Sequence, residues 1–202
     1  MYGDLGVHTP KITKESKKNN FTTFLPHGVE LMENDNYMEL LKKGLLELFS
    51  DERVLEYSKE KKINNIDDCS KFFISSSKLQ LESLSYNYYI INTKFNMFCG
   101  IIINISYLGI EKYYPHVTEY IDNLKKSWFL EFYLLPQLWG KNWMRYYLVQ
   151  MVNIHTEQGY KYFFCLVHID HLRCQKFLEA KEFVRVGGFI DDKGRLLYKL
   201  KL

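Results

Sequence analysis

The sequence predicts one α/β domain built on a mixed sheet, and three features predict it. Residues Trp128 to Leu135 and Tyr162 to Val167 are short, almost unbroken apolar runs, the pattern of strands buried on both faces. Each is followed by a segment with apolar residues at helical spacing, the alternation an α/β domain requires. Tyr86 to Ile91 and Phe98 to Ile105 flank the polar turn Asn92-Thr93-Lys94 and read as a strand pair. At 202 residues the chain is long enough for one sizeable core.

Taken in order, residues 1 to 24 are polar and Lys-rich without a period, and are expected to form a flexible or loosely docked arm. The domain then occupies 25 to 202. Val29-Glu30-Leu31-Met32 alternates as a strand. Asn34 or Asp35 caps a helix with apolar positions Tyr37, Leu40, Leu41, Leu45 and Leu48. A shorter helix begins near Ser50, and another follows Asp67, presenting Phe72, Phe73 and Leu79. After the strand pair, residues 106 to 127 form an unusually long connection. Within it Pro115 suits a first helical position. Val117, Tyr120, Ile121 and Leu124 follow at i, i+3, i+4 and i+7, predicting a short amphipathic helix. Such an insert covers a pocket or simply packs its stripe on the core.

Pro136 ends the first apolar run, because proline donates nothing to a sheet ladder. A short loop, Gln137 to Asn142, leads into a helix marked by Trp143, Tyr147, Met151 and Ile154. Gly159 stands where a left-handed helix terminator belongs. The unit is therefore buried strand, Gly-containing loop and helix N-terminus, an arrangement whose free amides and helix dipole attract phosphate. Helix His171 to Ala180 follows the second run, and short strands at Val184 to Val186 and Leu196 to Leu202 close the chain.

The loop Pro136-Gln137-Leu138-Trp139-Gly140-Lys141-Asn142-Trp143 resembles the acyl-CoA pyrophosphate loop of GCN5-related N-acetyltransferases, Gln/Arg-x-x-Gly-x-Gly/Ala. In style it is similar to the branch that acetylates ribosomal-protein N-termini. Gln137 and Gly140 match, while Asn142 replaces Gly or Ala. The segment His171 to Phe183 resembles the family's second motif. Arg173, Leu178, Glu179 and Phe183 fit it, and His171, Cys174 and Glu182 replace Asn, Ser and Gly. The resemblance implies a mixed, mostly antiparallel, splayed sheet flanked by helices. It implies acetyl-CoA as cosubstrate and direct acetyl transfer to an amine, carried by a small molecule or a protein N-terminus. It assigns the cofactor to backbone near Tyr133, Leu134 and Leu135, to the loop Gln137, Leu138, Trp139, Gly140, Lys141, Asn142 and Trp143, and to His171 and Cys174.

Acetyl transfer needs a deprotonated amine and a donor for the developing oxyanion. Glu131 is the one carboxylate in the buried run and is the candidate general base, with His116 and Glu119 as weaker ones. Many members of the family it resembles carry a tyrosine where Leu178 stands, which leaves that role vacant. The resemblance implies that the serine of the second motif serves in the related branch, and Cys174, which occupies its place, is the candidate proton donor to the departing thiolate. The departures at Asn142 and Glu182 also admit an alternative, a non-catalytic acyl-CoA-binding or interaction module.

Other classes fit less well. The chain carries 27 basic and 24 acidic residues, a balance that gives no basic face for nucleic acid. The tyrosines of Tyr86-Asn87-Tyr88-Tyr89 therefore read as core residues of a strand. Cys165, His168, His171 and Cys174 recur at intervals of three, but a strand-to-helix break separates them, so no metal is expected. No run reaches the ~20 apolar residues of a membrane span. Four irregularly spaced cysteines suit reduced thiols in the cytoplasm.

Overall fold

The computed structural model describes residues 22–27, 35–58 and 60–202. Strands β1 (Thr22–Pro26), β2 (Ser85–Asn92), β3 (Met97–Ile105), β4 (Ser127–Leu134), β5 (Tyr162–His168), β6 (Val184–Ile190) and β7 (Arg195–Lys201) form one sheet in the order β1-β2-β3-β4-β5-β7-β6. Every neighbouring pair is antiparallel except β4–β5, which is parallel. The helices are α1 (Asp35–Ser50), α2 (Glu52–Leu55), α3 (Ile66–Leu81), α4 (Tyr107–Tyr113), α5 (Trp143–Glu157) and α6 (Leu172–Glu179).

The helices lie on both faces because alternate strand residues are apolar on both. On one face α1 and α3 bury Leu41, Leu45 and Phe73. Phe49 meets Tyr133 there, and Phe73 meets Tyr89, at ring distances of 5.3 and 5.8 Å. On the other face α5 stacks His155 on Trp128 at 4.7 Å, and α6 sets Phe177 against Phe132. The helix starts follow local rules. Asn65 and Asp51 accept amide hydrogen bonds as side-chain caps of α3 and α2. Tyr88 and Tyr89 are buried in the core.

The structure departs from the expected organisation in two places. Thr22–Pro26 pairs with β2, so residues 22–24 of the expected arm belong to the sheet, and the His27 amide donates to Asn87 O. The rest of the arm and the expected strand Val29 to Met32 lie outside the described residues. Between β3 and β4 the expected amphipathic helix is only a 3-10 segment, Pro115–Tyr120, and a true helix, α4, precedes it. Ser106 starts α4 by accepting from the Gly109 amide. Tyr114, at φ −135 and ψ 47, then breaks the helical path before Pro115.

Candidate functional site

The site originates in how β4 and β5 part. They pair in parallel only at Ser127↔Tyr162, Trp128↔Phe163 and Phe129↔Phe164. Beyond these, β4 stays bonded to β3 as far as Leu134, and β5 stays bonded to β7 as far as His168. The two strands are held from outside and released from each other, which is the splay the sequence resemblance implied. The opening explains why residues 131–133 are half-buried although their run is almost wholly apolar.

Antiparallel alternation fixes which backbone groups face that opening. The Leu135 amide donates to Cys99 O at 3.0 Å, so Leu135, and with it Tyr133 and Glu131, bond across to β3. The backbones of Phe132 and Leu134 then face the gap. Of the three residues expected to offer backbone to a cofactor, Leu134 faces the cleft, whereas Tyr133 and Leu135 are turned to β3. Phe132 joins Leu134 in their place.

The cleft has a volume of about 300 Å³, within the ordinary range of ligand sites. The 136–143 loop forms its mouth. Leu138, Trp139, Gly140, Asn142 and Trp143 line it, whereas Gln137 is exposed and its amide donates to Glu47 Oε1 at 2.8 Å. Lys141 is exposed beside the mouth without lining it. Gly140 has φ +77, and a Cβ there would stand 3.4 Å from an Arg173 nitrogen. Asn142, at φ 61, is the first residue before α5 and makes no side-chain cap, and the first turn carries no acid. The α5 amides at this end therefore keep their capacity to receive an anion.

Positive charge converges on the mouth. The Trp139 indole donates to Leu134 O at 2.9 Å, which pins the ring to the end of β4. The guanidiniums of Arg53 and Arg173 sit over that ring at 5.7 and 5.4 Å. Arg145 and Arg195 also line the cleft, where Glu131 is the one lining carboxylate, but Arg53 is paired with Asp51 and Arg195 with Asp191, each at 2.7 Å. Of these arginines the sequence motif had brought up only Arg173. Arg53 and Tyr57 come from the segment after α1, some eighty residues away, and no local spacing points to them.

At the far wall, His171 precedes α6 and stacks on Tyr57 at 4.3 Å, while Cys174 lies in the first turn. Both line the cleft. Burial lowers the proton affinity of His171 and pushes the Cys174 thiol up to about 12. Glu131 projects from the opposite face of β4, accepting from the Tyr114 hydroxyl at 2.8 Å and from Tyr133 at 3.5 Å. Burial first, and then the Glu131 carboxylate, hold the Tyr133 hydroxyl well above its usual range, so it remains a donor.

A second pocket adjoins the first, between the 113–120 segment and the β6–β7 turn. His116 and Glu119 line it, so neither reaches the inner cleft as the carboxylate of Glu131 does. Arg195 lines both pockets. Among the described residues no group of three His, Cys, Asp or Glu side chains could hold a metal ion. Cys165 is buried within β5, and its thiol too is driven well upward by burial.

No family model and no curated protein sequence matches the chain. Solved structures do. The microcin C7 self-immunity acetyltransferase MccE, in complex with acetyl-CoA and AMP, has a TM-score of 0.65 at 16% identity, covering 91% of this chain and 94% of its own. RimL, a ribosomal L7/L12 α-N-protein acetyltransferase in complex with coenzyme A, scores 0.62 at 12% identity, covering 84% and 91%. Spermidine N-acetyltransferase from Vibrio cholerae, in complex with CoA and spermine, scores 0.61 at 12% identity, covering 91% and 96%. The chain has the GCN5-related N-acetyltransferase fold.

Proposed function

We propose that this protein is an acetyl-CoA-dependent N-acetyltransferase that passes the acetyl group directly to an amine. The observation that carries this reading is the parting of β4 and β5 beneath an arginine-lined helix N-terminus. A molecule with an extended amide-bearing arm and a polyanionic head fits such a cleft. The arm takes the hydrogen bonds that the Phe132 backbone and the Leu134 amide do not make to β5, the Leu134 carbonyl being held by the Trp139 indole. The pyrophosphate takes the α5 amides near Gly140 and Asn142, with Arg173 and Arg145 supplying charge, Arg53 being paired with Asp51.

In the reaction the amine nitrogen attacks the thioester carbon, and an unpaired β4 amide stabilises the oxyanion. Glu131 accepts the proton that the amine must shed, and Tyr114 and Tyr133 hold its carboxylate in place. The C–S bond then breaks and Cys174 returns a proton to the CoA thiolate. The burial that raises the Cys174 thiol would raise a thiolate formed in the same dry cleft, so the two sulfurs are matched. With four free cysteines and no described helix long and apolar enough to cross a membrane, we place the protein in the cytoplasm.

The test is thiol release from acetyl-CoA in the presence of a panel of amines. Turnover should be amine-dependent, and Glu131→Gln should lower it by roughly 10²–10⁴ with acetyl-CoA affinity nearly unchanged. Binding without turnover for any amine would instead make the chain a non-catalytic acyl-CoA module. Unchanged turnover in Glu131→Gln would return that carboxylate to a structural role.

A further inference from the structure

The second pocket, of about 780 Å³, contributes no group to the cofactor cleft except Arg195. Its walls are aromatic. Tyr120 meets Phe189 edge-on at 5.0 Å, and His116 stacks on the same ring at 6.1 Å, tying the 113–120 segment to the end of β6. Tyr114 lines this pocket while its hydroxyl donates to Glu131 at 2.8 Å, so one wall of the pocket is bonded directly to the proposed base.

The pocket carries three carboxylates, Glu119, Asp191 and Asp192, against Arg195 and the exposed Lys193, with His116 Nε2 4.0 Å from Asp191. Asp191 is internally satisfied: it accepts from the Lys193 and Arg195 amides at 3.0 and 2.8 Å and from Arg195 Nε at 2.7 Å. Its side chain is fully buried, and these donors hold its carboxyl below the ordinary range against the opposing effect of burial. Glu119 and Asp192 are different. Both are exposed on the pocket wall and have no hydrogen-bond or ion-pair partner among the described residues. They come from separate elements, the 3-10 segment and the β6–β7 turn, and face one space.

A reacting amine must be neutral when it attacks, so these two carboxylates serve it poorly. They suit a second nitrogen on the same acceptor that stays protonated at neutral pH. Aromatic faces favour such an ammonium and also cover an alkyl chain. We infer that this pocket is the acceptor site and that it selects a linear diamine or longer polyamine, one end reaching Glu131 and the other held by Glu119 and Asp192. This inference rests on the acetyltransferase reading, because it takes Glu131 as the reacting end.

The experiment compares cadaverine with pentylamine, which have the same chain and differ by one charge, on the full-length protein at low ionic strength. The ratio of their kcat/KM values should favour cadaverine by about tenfold and fall to about one in the Glu119→Gln/Asp192→Asn double variant. Calorimetric titration of cadaverine into the protein without acetyl-CoA gives a readout independent of turnover. Its affinity should drop in the double variant and weaken with added salt. A ratio near one in the parent, or a preference that survives the double substitution, overturns the inference. So does faster acetylation of a lysine-free peptide N-terminus than of cadaverine. If acetyl-CoA itself fails to bind, the acetyltransferase reading falls, while loss of cadaverine binding in the variant still identifies the pocket as a polyamine site.

Discussion

Asn142 and Glu182 stand where the resembling motifs carry glycine or alanine, and both hold positive φ, 61 and 64. The departures therefore leave the backbone path intact. Asn enters the left-handed region more readily than other side chains, whereas Glu has no such ease. Glu182 is exposed, between the Lys181 and Phe183 amides that both donate to Leu178 O, so the turn after α6 over-determines it. Left-handed backbone costs an ordinary L-residue about 1–2 kcal/mol, and glycine gives back about 0.4–1 kcal/mol through a freer unfolded chain. Glu182→Gly should accordingly stabilise the protein by roughly 0.5–1 kcal/mol, a rise of about 1–4 °C in Tm for a chain of this size. A lower melting temperature would show that the glutamate side chain contributes something the backbone account omits.

At the scale of elements, the strand–loop–helix unit was readable because its signals are local. Pro136 must end a ladder, Gly140 must turn the chain, and the Trp143, Tyr147, Met151 spacing must be helical. The parting of β4 from β5 was not readable from those residues, since it depends on how far each strand stays bonded to its other neighbour. The sequence resemblance implied a splay, but it could not say which amides would be freed. That follows from the Leu135–Cys99 bond and the alternation it sets. The two misread elements have local causes as well. Thr22–Pro26 lies in polar surroundings without a period, and β2 recruits it as an edge strand. The 107–113 helix has too few apolar residues in one stripe to stand out, and Ser106 starts it.

Across the whole molecule, the formal net charge of +3 conceals the arginines that line one cleft. Tertiary convergence of this kind leaves no trace in composition. Two buried histidines that do not line the cleft contribute to acid sensitivity. His27 bonds to Tyr89 and Ser77, and His155 to Asn104 and Gln158. Burial lowers each from 6.5 to about 4. Below pH 6.5 the unfolded chain takes up protons that the native imidazoles refuse, so stability falls as pH drops toward 4. Complete titration across that window corresponds to about 3 kcal/mol per histidine. Urea midpoints should fall steeply between pH 7 and pH 4.5, and less steeply in His155→Gln. A flat profile would mean that neither ring is desolvated as described.

Binding of the acetyl-CoA pyrophosphate by the Gly140 loop and the α5 N-terminus is measured by calorimetric titration. Acetyl-CoA titrated into the parent should bind. In Gly140→Asp, added bulk strains a φ of +77 and sets a like charge against the phosphates beside Arg173. Each hydrogen bond lost to a charged group costs about 1.5–3 kcal/mol, so affinity should fall at least tenfold. The melting temperature without ligand is the control for folding. Equal affinity in a folded Gly140→Asp protein, or no binding by the parent, would contradict the acetyltransferase account.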